Sequence, residues 1–139
     1  MGLDQAVSPP GIVAGIGFRR VTTGAEIVAL LRRALSEAGL APERLSALAT
    51  AADRAGEPAI HEAAAAFGLV PTGVDAAALT AADARVETRS SRIEASRGVG
   101  SVAEAAALAC AGPEARLLLP RIASAGATCA LAAPAERLP

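Results

Sequence analysis

Two glycines and two adjacent guanidinium groups meet in Gly15-Ile16-Gly17-Phe18-Arg19-Arg20, shortly ahead of a helix start. Backbone N–H groups freed at such a loop, with arginine forks beside them, can converge on a carboxylate or a phosphate. The third glycine of a dinucleotide loop and the Gly-Lys-Ser/Thr end of a phosphate loop are both absent, so the run is a weak nucleotide fingerprint. The plainer alternative is a tight turn with solvated arginines. Thr50, Arg54 and Glu57 make a second group, a hydroxyl, a cation and a carboxylate just past an apolar segment. Ligands in open α/β folds sit at that end of a strand, although a surface Arg–Glu pair accounts for the same residues. Thr88, Arg89, Ser90, Ser91 and Arg92 offer further hydroxyls and anion donors, or simply a polar surface loop.

General acid–base or nucleophilic chemistry finds less support. His61 is the only histidine, and it falls inside an expected helix beside Glu62, where a surface role fits better than a base. No Ser-His-Asp or Cys-His arrangement can be assembled around it. Glu57 and Glu104 are the candidate carboxylate acids or bases, but Glu104 also occupies the third helical position of a capping box, which explains it without catalysis. Cys110 and Cys129 have no partner at metal-ligand spacing, so no zinc site is expected and both read as small buried hydrophobes.

The elements that must carry these groups follow from period and punctuation. Residues 12–14 form a short apolar run closed by glycines, the pattern of a buried strand. Thr23-Gly24-Ala25-Glu26 is a capping box, and Ile27, Leu30, Leu31, Ala34, Leu35 and Ala38 repeat at helical spacing up to Gly39. Pro42 opens a helical turn, and residues 45–50 read as a short helix running into a second strand. Pro58 begins a helix with Ile60, Ala63, Ala64 and Phe67 on one face, ending at Gly68 before a short Leu69-Val70 strand. Asp75 caps a brief helix over residues 76–79, and residues 85–97 read as surface loop. Ser101-Val102-Ala103-Glu104 is a second capping box, leading an Ala-rich helix through Cys110 to Gly112-Pro113. Residues 116–122 and 127–132 form two antiparallel strands around Ser124-Ala125-Gly126, with Pro120 best tolerated on an edge. The expectation is an α/β fold: one compact domain over 11–132 with a mixed sheet of about four to six short strands flanked by helices. Residues 1–10 read as a disordered leader and 133–139 as a tail.

Composition excludes several classes. All 13 basic residues are arginine and nearly balance 14 acidic ones, for a net charge of −1, so no polyanion-binding excess exists. Phe18 and Phe67 are the only aromatics; a single-strand binder would need a stacking platform, so nucleic acid is not expected as a partner. With 53% apolar residues that are mostly Ala, Leu and Val, the core must pack small aliphatic side chains closely. No apolar run approaches a membrane span and no export signal opens the chain, so a soluble cytoplasmic location is expected, with no membrane partner.

Taken in order, Gly15 to Arg20, Ala49-Thr50 with Arg54 and Glu57, Ser90, Gly98-Val99-Gly100-Ser101-Val102-Ala103-Glu104-Ala105-Ala106-Ala107-Leu108, and Arg121 with Ala127-Thr128-Cys129-Ala130 resemble the CobE/CbiG C-terminal family of cobalamin biosynthesis. The resemblance spans 11–132, and the stretch around Ser101 and Glu104 is its most specific part. Phe18 stands where many members have Cys, and Arg54 and Arg121 stand where Lys is usual; charge is kept but amine chemistry is not, because guanidinium stays protonated. The resemblance implies a corrin or precorrin ligand, with or without cobalt, and no other cofactor or resident metal. Its ligand-binding residues would be Gly15, Gly17, Arg19, Arg20, Thr50, Arg54, Glu57, Ser90 and Ser101. The first reading is a binding or accessory protein for a carboxylate-rich intermediate. The second is a hydrolase of the precorrin-5A type, opening a ring lactone with release of acetaldehyde through Glu57 or Glu104; longer family members carry added N-terminal sequence that this chain lacks. The third is a partner subunit of another cobalamin-biosynthesis enzyme, homo-oligomer formation being open. A small phosphate-binding α/β domain is the reading outside the family.

Overall fold

In the computed structural model, residues 11–87 and 101–134 are described. The leader 1–10, the tail beyond Pro134, and the group Thr88, Arg89, Ser90, Ser91 and Arg92 lie outside those residues. One domain contains a mixed five-stranded sheet with helices on both faces, as the sequence suggests. The strands are β1 (Ile12–Phe18), β2 (Leu45–Ala51), β3 (Pro71–Val74), β4 (Arg116–Ala123) and β5 (Ala127–Ala133). The helices are α1 (Gly24–Ala38), α2 (Pro58–Ala65), α3 (Ala76–Ala82) and α4 (Val102–Ala111). Strand order is β3-β2-β1-β5-β4. The β1–β2 and β2–β3 pairs are parallel, whereas β1–β5 and β4–β5 are antiparallel.

Alternation along β1 divides the core. Ile12, Ala14 and Ile16 face α1 and α2, joined by Ala127, Cys129 and Leu131 of β5. Val13 faces the other way, toward α3 and α4, with Ala49, Val74 and Ala132. Each fully buried Leu or Ile on these faces contributes roughly 1.5–3 kcal/mol. The small residues also let backbones approach. A Cβ on Gly15 would lie 2.7 Å from Ala107 N and 3.0 Å from the Ala103 carbonyl carbon, so α4 rests directly on the backbone of β1. Ala103, Ala105, Ala106 and Ala107 are fully buried, and apart from Glu104 α4 is apolar, because sheet and α3 enclose it.

The caps position the helices as expected. Thr23 Oγ1 accepts from Glu26 N–H at 3.1 Å, Asp75 Oδ1 from Ala78 N–H at 2.8 Å, and Ser101 Oγ from Glu104 N–H at 3.2 Å. Gly39 ends α1 in the left-handed conformation at φ 73°. The helix after Asp75 runs to Ala82, beyond the expected 79, and α2 ends at Ala65; two segments differ in type from expectation. Residues 45–51 are strand throughout, preceded by a 3₁₀ turn over Pro42–Arg44, because β1 and β3 pair with this segment from both sides and the ladder overrides local preference. Leu69 and Val70 are not a strand. Leu69 N–H still bonds back to Ala64 O at 2.9 Å to close the end of α2, and pairing starts only at Pro71, opposite Leu48. Pro71 and Pro120 both sit on outer strands, where a missing N–H is most easily tolerated.

Candidate functional site

Parallel pairing between β1 and β2 ends at Gly15 and Ala49. Past that point the Ile16 carbonyl accepts from buried Thr50 Oγ1 at 2.7 Å, and the Phe18 carbonyl accepts from Arg54 Nη2. Side chains from β2 and the following 3₁₀ turn, Ala52–Arg54, thus replace ladder rungs, and the strands part. A cleft of about 470 Å³ opens there, at the carboxyl ends of the parallel strands, where open α/β sheets bind ligands. Its walls are Gly17, Phe18 and Arg19 at the end of β1, Thr50, Ala51 and Arg54 at and just past the end of β2, Val102 at the start of α4, and Arg121, Ser124, Ala125, Gly126, Ala127 and Thr128 from the β4–β5 hairpin.

Among the described residues, three guanidinium groups and no carboxylate line this space. Arg54 lies over the Phe18 ring, its guanidinium carbon 4.6 Å from the ring centroid, a stacking geometry that holds a cation without neutralising it. Arg121 reaches the cleft through an irregularity in β4. The pairing steps from Leu119–Leu131 to Ile122–Cys129, which inserts one extra residue on the outer strand. The Arg121 N–H, displaced by that bulge, donates to Glu104 Oε2 at 2.9 Å.

The hairpin wall is fixed by α1 and the loop before it. Gly126 N–H donates to Glu26 Oε2 at 2.7 Å, and the Ser124 hydroxyl donates to the same oxygen. Thr22 Oγ1 donates to Gly126 O at 2.7 Å, and Arg19 N–H donates to the same carbonyl at 2.9 Å. The Ser124 and Gly126 hydrogen bonds hold the Glu26 carboxyl below its ordinary value of 4.5. In both helix starts the Ser or Thr half of the capping box is present while the glutamate serves elsewhere. Glu26 clasps the hairpin, and fully buried Glu104 accepts from Glu87 N–H at 2.7 Å and from Arg121 N–H.

Of the residues named from sequence, Gly17, Arg19, Thr50 and Arg54 come together at the cleft. Gly15 lies behind it against α4, and Ser101 caps α4. Arg20 points outward with its side chain 80% exposed, 3.9 Å from Glu57 Oε2, and neither residue lines the cleft. Ser90 lies outside the described residues. Arg121, Ser124 and Thr128 were missing from the named set. Arg121 and Thr128 fall in the family pattern, which was a signal; Ser124 sits in a turn triplet that nothing local marks as functional. His61 is exposed on α2. Cys129 is fully buried and its thiol is pushed up to about 12 by that burial, while half-buried Cys110 is raised for the same reason. Among the described residues no three His, Cys, Asp or Glu side chains gather as a metal site, and no helix is long and apolar enough to cross a membrane.

The family description "Cobalamin synthesis G C-terminus" matches residues 12–132. The chain belongs to the CobE/CbiG C-terminal family. It is a cobalamin biosynthesis protein, 46% identical over 125 residues to Protein CobE of a Sinorhizobium species, covering 90% of this chain and 81% of that protein. The crystal structure of CobE, described as a protein of the cobalamin (vitamin B12) biosynthetic pathway, superposes with TM-score 0.86 at 34% identity, over 94% of this chain and 95% of that one. Cobalamin biosynthesis protein chiG from Agrobacterium tumefaciens gives TM-score 0.71 at 36% identity, over 90% and 99%. A cobalamin biosynthesis protein G homolog from Sulfolobus solfataricus, at 24% identity and TM-score 0.67, shares the fold over 37% of its length.

Proposed function

We propose that this protein binds a carboxylate-rich corrin or precorrin intermediate in the cleft between β1, β2 and the β4–β5 hairpin, as a cytoplasmic accessory of cobalamin biosynthesis. The observation that carries the reading is the pairing of Arg19, Arg54 and Arg121 with a floor of glycine and small aliphatic residues, with no carboxylate among the described lining residues. Ionised acetate and propionate side chains on a macrocycle match arginine forks, and the ring face matches the aliphatic wall. The cleft volume of about 470 Å³ suits burial of part of such a ring with the remainder held at the rim. Acid–base chemistry has less to draw on, since Glu57 pairs with Arg20 outside the cleft and both Glu104 oxygens accept backbone N–H groups.

A visible-absorbance titration with a carboxylated corrin, cobalt-free and cobalt-bound, tests the proposal while acetaldehyde is assayed in parallel. Saturable binding of unaltered ligand is expected. Arg19→Ala and Arg121→Ala should each weaken it about tenfold or more, the worth of a charge-assisted hydrogen bond, whereas Arg20→Ala should change it little. Acetaldehyde release would establish the hydrolase instead. Absence of both binding and turnover would refute the cleft as a corrin site and leave a partner-subunit role as the reading to pursue.

A further inference from the structure

Arg54 is held twice by one residue. Its guanidinium stacks on the Phe18 ring and its Nη2 donates to the Phe18 carbonyl, and both residues line the cleft. Phe18 itself is partly buried and packs against the hydrophobic core, which fixes the ring as a platform. Both contacts are uncharged. Arg33, by contrast, pairs with Glu37 at 3.3 Å, an arrangement that cancels most of the charge it offers to solvent. The ring and carbonyl remove rotamer freedom that a ligand would otherwise have to freeze, while among the described residues no carboxylate is paired with the guanidinium.

We infer that Phe18 is a positioning residue that holds Arg54 through uncharged contacts as a fixed, charged guanidinium, so that the cleft selects ionised carboxylates over carboxamides on its ligand. This rests on the reading of the cleft as a corrin site. A carboxamide carries no charge to meet the guanidinium, and its NH₂ group sets donor against donor in half of its orientations; the discrimination is therefore both attractive and repulsive.

The test uses two corrins that differ only in bearing free side-chain carboxylates or the corresponding carboxamides, titrated against wild type, Phe18→Leu, Arg54→Ala and the double variant. Wild type should bind the carboxylate form about tenfold or more tightly. Phe18→Leu should lower that preference roughly threefold to tenfold, leaving carboxamide affinity within about twofold, and should add nothing to Arg54→Ala in the double variant. Arg54→Lys, which keeps charge but loses the planar fork, should lower the preference similarly and provides the reading if Phe18→Leu fails to fold. Equal weakening toward both corrins, an unchanged preference, or additive losses in the double variant would overturn the positioning role. Binding by wild type without any preference would overturn this inference alone; failure to bind either corrin would overturn it together with the proposed function.

Discussion

Replacing Gly15 by alanine tests whether this glycine serves packing or ligand. An added Cβ would sit 2.7 Å from Ala107 N and 3.0 Å from the Ala103 carbonyl carbon, and closer still to the Ala103 carbonyl oxygen. These are backbone atoms, so no rotamer change relieves the overlap. Ordinary carbon contacts begin near 3.5 Å, and α4 would have to recede from β1 by on the order of 1 Å to restore them. That shift would disturb Ala103, Ala106, Ala107 and Leu108, all at or below 1% exposure. Overpacking of a close-packed core costs about 1–3 kcal/mol; with a backbone obstacle the upper end applies, about 3 kcal/mol. At this chain length each kcal/mol shifts Tm by about 3–4 °C, so a fall of about 10 °C is expected in a thermal melt. Gly56→Ala is the matched control, since a Cβ there meets nothing within 4 Å, and it should be neutral or raise stability by about 0.4–1 kcal/mol. A Gly15→Ala protein melting within about 2 °C of wild type would refute the packing argument, and lost corrin affinity at unchanged stability would return Gly15 to the ligand.

Two further outcomes follow from the cleft walls. Glu26 has a folded-state carboxyl below its ordinary 4.5, through the Ser124 hydroxyl and then the Gly126 N–H; the unfolded chain therefore binds more protons as pH drops past that value, so the contribution is present above 4.5 and lost as pH falls through the folded-state value. Urea midpoints should decline more steeply on acidification for wild type than for Glu26→Gln, and parallel declines would remove Glu26 as the clasp of the hairpin. Thr50→Val preserves shape but takes the hydroxyl donor from the Ile16 carbonyl inside the sheet; a loss of about 1–3 kcal/mol is expected by denaturant titration, and no loss would mean that the strands part without needing that bond.

Most of the helices were legible because each carries its own punctuation. Thr23 and Gly39 bracket α1, Ser101 and Gly112 bracket α4, and the apolar positions between them repeat at the helical period. The strand at residues 45–51 was harder, since Leu45 and Leu48 fit a helix turn as well as a buried ladder, and only β1 and β3 on either side decide between them. The cleft was half legible. Gly17, Arg19, Thr50 and Arg54 stand at or just past the carboxyl ends of strands, where ligand sites are expected. Arg121 and Ser124 could not be placed by local pattern, because they reach the cleft from the opposite end of the chain, one through a bulge in β4 and the other in the turn beside Gly126.

Composition, caps and periodicity act over a few residues, and they suffice for an α/β domain with closely packed small side chains and an arginine-only cationic set. The family pattern added the pathway. Which cations share a site is a different matter, because it depends on strand order. The antiparallel return of β5 alongside β1 brings residues 121–128 to the carboxyl end of β1. That long-range pairing has no local signature. The same holds for glutamates: Glu26 and Glu104 sit at capping positions in sequence, yet their carboxylates bond to the hairpin and to β4 because tertiary packing placed better-aligned N–H and O–H donors within reach.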